Sequence, residues 1–376
     1  MIRSGPVWQL EGKVHHIADV FRRRFEGEIL TWGSEPGFLE VGRIQVRRWA
    51  LAWERPLHAR LAYMAKVVWR ALRARWLLGR RLVVVSYDPF QSGLIALIMK
   101  WLTGARFICE VNGAYGDLRT LVDIPDPEAR RAKHQRMLRV GSRVLRRCHG
   151  IKLLFPDQLE GFGLDPDEPP RFCFPNMVDT STFQPSDAPR DKRVLFVGQP
   201  YHLKGVDVLL EAFAQIADRH PEWELLCLGW GLAEGAETTD VSLDRVRFLD
   251  PVDPGEVAPI MAQAAFLVLP SRSEGMGRVL LEAAHLGLPR VGSDAGGIPT
   301  VIEHGVDGLV FASESVDALA DALDTLMGDE ELRERMGAAA RARALAEFTE
   351  EAYLAHWDHL LTQVAPDRLP TLPESD

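Results

Sequence analysis

The chain has 376 residues, 47% apolar and 26% charged, which excludes a disordered polymer and is too long for one ordinary core, so two domains are expected. Its net charge of -9 conceals a division: residues 1–150 hold 27 Lys and Arg against 13 Asp and Glu, and the remainder hold 17 against 40. No apolar run approaches the length of a membrane span, the longest (Gly93–Leu102) being broken by Lys100, and Met1–Lys13 lacks the apolar segment of a secretory signal, so a cytoplasmic location is expected.

In chain order, Val14–Arg24 has helical spacing and Glu28–Trp32 reads as a short strand. A Rossmann half normally opens on a strand, so Met1–Leu10 either supplies an irregular first strand or a strand is missing. Arg60–Leu78 reads as a long amphipathic helix, and over Arg60–Arg81 the spacing puts Leu61, Ala65, Val68, Leu72 and Trp76 on one face and Lys66, Arg70, Arg73 and Arg80 on another. Two readings stay open for it. Its apolar face packs on a sheet, or, with Trp49, Trp53 and Trp69 nearby, it lies on an anionic membrane. Arg81–Ser86 is a β-branched run of the kind buried in a parallel sheet, and helix Gln91–Thr103 and strand Arg106–Val111 complete a βαβ unit.

Pro166, Pro169, Pro170, Pro175, Pro185 and Pro189 make Asp165–Pro189 the candidate linker. Asp165-Pro-Asp167 has the letters of a metal-binding DxD but sits in that loop, where Asp and Pro are turn formers, and no metal is expected. Alternation then resumes: strand Arg193–Val197, helix Val206–Asp218, strands Glu224–Gly229 and Val246–Leu249, helix Pro254–Ala264, strand Phe266–Pro270, helix Arg278–Leu286 and strand Pro289–Ser293. That is a doubly wound α/β domain. The segment after Ala365 is Pro-rich, acidic and expected to be disordered. Cys109, Cys148, Cys173 and Cys227 lack metal-ligand spacing and are expected to be buried, reduced thiols.

In such a sheet ligands bind beyond the carboxyl ends of the strands, where loops run into helix N-termini. Ser271-Arg-Ser-Glu-Gly-Met-Gly277 stands in that position, with two glycines for close approach and free N–H groups for an anion. Glu282 follows Glu274 by about two helical turns, so both carboxylates can face one crevice and accept from sugar hydroxyls.

Pro270–Ala283, Gly287-Leu-Pro289, Asp294–Pro299 and Glu303–Leu309, with Phe196–Asp207 and Pro175–Thr180 upstream, resemble the C-terminal half of a retaining GT-B glycosyltransferase of family 4. The resemblance is dense over about Pro175–Phe311 and thin before it. It implies an α/β fold of two Rossmann-like doubly wound parallel-sheet domains facing a central cleft. Residues 1–175 would bind the acceptor and 176–376 the nucleotide sugar, with a last helix near 348–364 packing back on the first domain. Residue by residue, it implies that Glu274 and the N–H groups of Gly275, Met276 and Gly277 hold the donor sugar, that Glu282 holds the ribose and that Lys204 holds the diphosphate. Gly198 would admit the leaving group, Arg278 and Val279 would cap a phosphate, and Leu249 would lie near the base.

The implied reaction moves a hexosyl group from a nucleoside-diphosphate sugar to a hydroxyl of a glycan, glycolipid or lipid-linked acceptor, as in surface polysaccharide assembly, with retention and without a cofactor or metal. Two positions depart from the pattern. Gln199 stands where an arginine is usual, leaving His202 or Arg272 to supply the cation, and Asn112, followed by Gly113, stands where a sugar-contacting histidine is usual. These departures keep open a catalytically weak nucleotide-sugar-binding partner subunit; a sugar-nucleotide epimerase, which can share this fold, is a second alternative, opposed by the absence of acid/base groups near Asn112. The basic N-terminal half suits an anionic acceptor or the inner membrane face, and no nucleic-acid motif accompanies the charge.

Overall fold

A computed structural model describes residues 2–4, 15–33, 37–50, 57–78, 82–121, 124–186, 189–229 and 244–366. Residues 367–376, most of the segment expected to be disordered, lie outside that range, as does Trp53. The chain divides into two compact units, one comprising Met1–Asn112, Arg131–Phe174 and Leu354–Asp376, the other Gly113–Arg130 and Pro175–Tyr353.

The first unit is built on β1 (Ile2–Ser4), β2 (Gly27–Gly33), β3 (Gly37–Val41), β4 (Ile44–Ala50), β5 (Val83–Ser86), β6 (Arg106–Glu110), β7 (Gly150–Leu153) and β8 (Arg171–Cys173), in the order β3-β4-β2-β1-β5-β6-β7-β8. Ile2–Ser4 supplies a first strand, pairing parallel with both β2 and β5. Every pairing is parallel except β3 with β4, a hairpin turning at Gly42 (φ 56°) that the sequence reading did not anticipate. The expected linker is part strand, since Arg171–Cys173 pairs with β7 as the sheet edge. A strand following two prolines is tolerated there because an edge strand needs partners on one side only. Within the same stretch, Asp165 accepts a hydrogen bond from the Asp167 N–H at 2.9 Å, a local turn.

Helices α1 (His15–Phe21), α2 (Leu57–Leu78), α3 (Gln91–Thr103) and α4 (Pro127–Leu145) make the crossovers. From β4 through α2 to β5, α3 to β6 and α4 to β7, the chain steps across the sheet in one direction, so right-handed connections put these helices on one face. The α1 connection runs the other way, and Ala18 packs with Ile29, Val41, Ile44 and Val46. In α2 the buried stripe is Val67 and Ala71, while Ala65, Leu72 and Trp76 point outward. The expected packing face is therefore wrong: Val67 and Ala71 are buried, while the larger Trp69, Leu72 and Trp76 stay outside. Three of the four cysteines are buried as expected, but Cys173 is exposed on β8. The C-terminal helix α10 (Glu350–Val364) belongs to this unit from Leu354 onward, where Trp357 meets Phe21 and Phe174 edge-on at 5.7 and 6.0 Å between ring centroids.

The second unit alternates β9 (Arg193–Val197), α5 (Val206–Ile216), β10 (Glu224–Leu228), β11 (Val246–Leu249), α6 (Pro254–Ala262), β12 (Phe266–Leu269), α7 (Arg278–His285), β13 (Arg290–Ser293), β14 (Gly308–Phe311), α8 (Val316–Gly328) and α9 (Glu330–Glu347). Its sheet order is β11-β10-β9-β12-β13-β14, all parallel. Val194–Phe196 of β9, Leu225–Leu228 of β10 and all of β12 are apolar and buried because both faces of the central sheet are covered. The strand order reverses between β9 and β12. Among the described residues no helix is long and apolar enough to cross a membrane.

Candidate active site

At the reversal between β9 and β12 the loops after the two strands diverge to opposite sides and leave a crevice at their carboxyl ends. The loop after β9 runs Gly198–Gly205 into α5, and the loop after β12 runs Pro270–Gly277 into α7. They touch backbone to backbone: Arg272 N–H donates to the Leu203 carbonyl at 2.9 Å. Gly205 has φ 68°, and a Cβ there would lie 2.1 Å from the Pro270 carbonyl oxygen, so only glycine fits.

This contact brings Lys204 to Glu274, whose side chains form an ion pair through Nζ and Oε2. The Glu274 carboxylate is aimed by its surroundings: Ser271 Oγ lies 3.4 Å from Oε2, and the Gly275 N–H donates to Oε1 at 3.1 Å. Behind it, the Asp294–Gly297 turn closes on its backbone. Gly297 N–H reaches the Glu274 carbonyl at 3.4 Å, and a Cβ on Gly296 (φ 56°) would fall 1.9 Å from that oxygen. Ser293 Oγ donates to the Ser271 carbonyl at 2.6 Å, fixing the start of the loop.

Arg272 is 8% exposed and bidentate to Asp207, Nη1–Oδ1 and Nη2–Oδ2 both 2.7 Å. Its Nε donates to Glu314 at 3.0 Å and its Nη1 to the His202 carbonyl at 2.6 Å. Burial works to raise the Asp207 carboxyl, but the paired guanidinium outweighs it and holds Asp207 below the ordinary carboxylate range. Hydrogen bonding to Asp207 likewise raises the guanidinium above its ordinary value, against burial. Arg272 is thus matched by two carboxylates. It braces the two loops and does not stand in for a cation missing at Gln199, whose amide donates to the Gly229 carbonyl at 2.6 Å.

The structure brings Gly198, Gln199, Lys204 and Glu274–Val279 to this crevice. Gly277 (φ 73°) starts α7 wedged against Leu269 and Leu280, and Met276 is buried, its Sδ accepting from the Asn176 N–H at 3.3 Å. Glu282 lies farther along α7, 8% exposed, with Arg278 Nε 2.9 Å from Oε1. Leu249 ends β11 at the sheet edge, separated from β9 by β10. Among the described residues no three His, Cys, Asp or Glu side chains gather as a metal would need.

Asn112 follows β6 in the first unit, its amide donating to the Tyr87 carbonyl at 3.0 Å and to Glu110 Oε2 at 3.1 Å, and the adjoining Gly113 falls in the second unit's segment. Glu110 is fully buried, and its Oε1 has no hydrogen-bond partner. Its register neighbour on β7 is Lys152, also fully buried, with Nζ 5.2 Å from the Phe174 ring centroid. Gln158 closes the cluster by donating to the Val111 carbonyl at 2.9 Å. Sequence reasoning missed this polar group at the carboxyl ends of β6 and β7; its signal was a Glu and a Lys inside otherwise apolar strands, Arg106–Glu110 and Gly150–Leu153. It also missed Asp207 and Glu314, which only the fold brings to Arg272.

The sequence profile of the family "Glycosyl transferases group 1" matches residues 178–343. A D-inositol 3-phosphate glycosyltransferase of Frankia alni is 30% identical over 320 residues, 75% of each chain. The enzyme of the same name from Corynebacterium jeikeium is 35% identical over 188 residues, 47% of this chain and 45% of that one. The chain spans 37–57% of the length of three corynebacterial relatives. Sucrose-phosphate synthase from Thermosynechococcus elongatus superimposes with a TM-score of 0.75 at 18% identity, covering 94% of this chain and 92% of that one. Anabaena HepE in complex with UDP and glucose does so with a TM-score of 0.73 at 18% identity, covering 96% and 98%. These likenesses establish the GT-B fold.

Proposed function

The chain belongs to the glycosyl transferases group 1 family, and from that premise we propose that it is a retaining glycosyltransferase using a nucleoside-diphosphate sugar. The observation that carries this reading is the Lys204–Glu274 pair at the strand-order reversal: a cation and an acceptor carboxylate side by side suit a diphosphate joined to a polyol. Lys204 takes the departing diphosphate, and Glu274, with the N–H groups of Gly275–Gly277, orients the sugar hydroxyls. Arg278 and Val279 offer the helix N-terminus to a phosphate, Gly198 admits the leaving group, Glu282 takes the ribose and Leu249 lies toward the base.

In the transfer, the acceptor oxygen bonds to the anomeric carbon as the bond to the diphosphate breaks. The hydroxyl proton goes to a diphosphate oxygen. Catalysis is positioning and charge stabilisation, with neither a protein nucleophile nor a metal.

HepE in complex with UDP-glucose makes that donor the first to try here. The acceptor is a hydroxyl of a glycan, glycolipid or lipid-linked molecule, met through Asn112 at the end of the first unit's β6 and the adjoining Gly113. The basic charge of residues 1–150 suits an anionic acceptor and a peripheral contact with the inner membrane face from the cytoplasm. The test is a panel of UDP-, GDP- and ADP-sugars, read by thermal shift and then by transfer with EDTA present. Turnover supports the proposal. Binding without transfer to any acceptor favours a partner subunit, a reading motivated by Gln199.

A further inference from the structure

We infer that the outward face of α2 and α3, together with the cationic cavity at the C-terminal end of α3, docks on a bilayer containing anionic phospholipid. The inference rests on the peripheral membrane contact proposed above and gives it a place in the fold.

Helices α2 and α3 pack side by side on one face of the first sheet. On α2, Trp69, Leu72 and Trp76 recur at helical spacing, with the two indoles 57% and 83% exposed. On α3, Leu94, Ile98 and Trp101 do the same, Trp101 being 83% exposed. Soluble proteins seldom leave so many large apolar side chains together in water. Cations are interleaved with them: Lys66 and Arg73 are exposed on α2, and the Arg73 guanidinium lies 5.7 Å from the Trp69 ring centroid.

Trp101 also lines a cavity of about 420 Å³ with Lys100, Arg106, Arg147 and His149, and no carboxylate faces it. Lys100 donates to the Arg147 carbonyl at 2.6 Å, which holds its ammonium at the cavity wall. Burial presses the Lys100 ammonium below its ordinary value, and the charges of Arg106 and Arg147 act in the same direction. Three like charges with no carboxylate among the described residues that line the cavity, beside exposed indoles, match a phosphate headgroup above an acyl layer. Indoles settle at that boundary, and basic residues add attraction to anionic lipid. A twofold contact with a second copy would set these cations against themselves. Nucleic acid offers nothing to Leu72, Leu94 and Ile98.

The experiment is co-sedimentation of the full chain with vesicles of phosphatidylcholine alone or of equal parts phosphatidylcholine and phosphatidylglycerol. Circular dichroism checks folding, and the UDP-glucose thermal shift reads the donor site on the same preparations. Expected is binding at least about tenfold tighter to the anionic vesicles, weakening with salt. Removing two cations (Lys100→Gln with Arg147→Gln) should cost about thirtyfold on those vesicles, and Lys100→Arg should retain binding. Trp76→Ser with Trp101→Ser should weaken binding to both vesicle types. The inference is overturned by equal binding to the two compositions, by folded tryptophan variants that bind like wild type, or by a dimer that those variants convert to monomer. Lost vesicle binding with an intact UDP-glucose shift rejects the surface alone. A lost shift with vesicle binding retained rejects the donor reading and leaves the surface standing.

Discussion

Lys204 and Glu274, 70 residues apart in the chain, meet as an ion pair at the point where the second sheet reverses its strand order. Under the proposed function, a donor entering this crevice would exchange that pair for two separate partners, diphosphate on the lysine and sugar hydroxyl on the glutamate. Lys204→Ala and Glu274→Ala should each lower kcat/KM at least about tenfold. Titration with UDP separates them: the lysine variant loses affinity, the glutamate variant keeps it. In the double variant the two losses should not add, because the residues are in contact. Wild-type rates in both single variants would remove the crevice from the chemistry.

Gln199 donates to the Gly229 carbonyl and brings no charge. Gln199→Arg should therefore strengthen UDP binding by about 1.5–3 kcal/mol, the range of a hydrogen bond to a charged group. Calorimetry reads the gain. An unchanged dissociation constant would mean that the diphosphate lies out of reach of position 199.

Gly296 bears on Glu274 from behind. Gly296→Ala must push back the Glu274 carbonyl, since the new Cβ would stand 1.9 Å from its oxygen at φ 56°. A fall in Tm and a loss of kcat/KM of about tenfold or more are expected. Gly305→Ala is the control: its φ of 79° imposes backbone strain, but nothing lies within 4 Å. It should lower Tm and spare kcat/KM.

Asp307, 1% exposed, pairs with the fully buried Arg290 at 2.7 Å and with Arg343 at 3.2 Å. It also accepts from the Glu303 N–H at 2.8 Å. Asp307→Asn strands a buried guanidinium and should cost about 3–5 kcal/mol in urea unfolding of the second unit. A loss under about 1 kcal/mol would show that the arginines find other partners.

The Asp207 carboxyl is depressed in the folded chain and ordinary in the unfolded one. Its contribution to stability is whole above about pH 4 and disappears as pH falls through the lower folded value. Unfolding free energies across that range should converge for wild type and Asp207→Asn at the acid end and separate at neutral pH. Parallel curves would mean that the carboxylate is not coupled to Arg272.

Much of the second unit was legible because each of its strands is a short apolar run bounded by turn residues, and its loops follow directly. The first unit was harder. The β3–β4 hairpin was missed although Leu39, Val41, Ile44 and Val46 alternate with Glu40, Gln45 and Arg47 about Gly42, while β1 is only three residues long and β8 hides among prolines. In α2 periodicity gave the helix but not its orientation, because the buried stripe is Val67 and Ala71 and the tryptophans face outward. The E-x7-E spacing put Glu274 near the right helix, but nothing local could show that Lys204 would pair with it or that Asp207 and Glu314 would take up Arg272. Those partners are distant in sequence and are joined only when β9 and β12 become neighbours.

Cys173 has a practical use. It is exposed on the edge strand while Cys109, Cys148 and Cys227 are buried, so a maleimide dye would attach at one place without any engineered thiol. The label would stand two residues before Pro175, where the chain enters the second unit. A fluorophore at that position would report, on the unaltered sequence, whether the crossing point changes its surroundings when a sugar nucleotide is added.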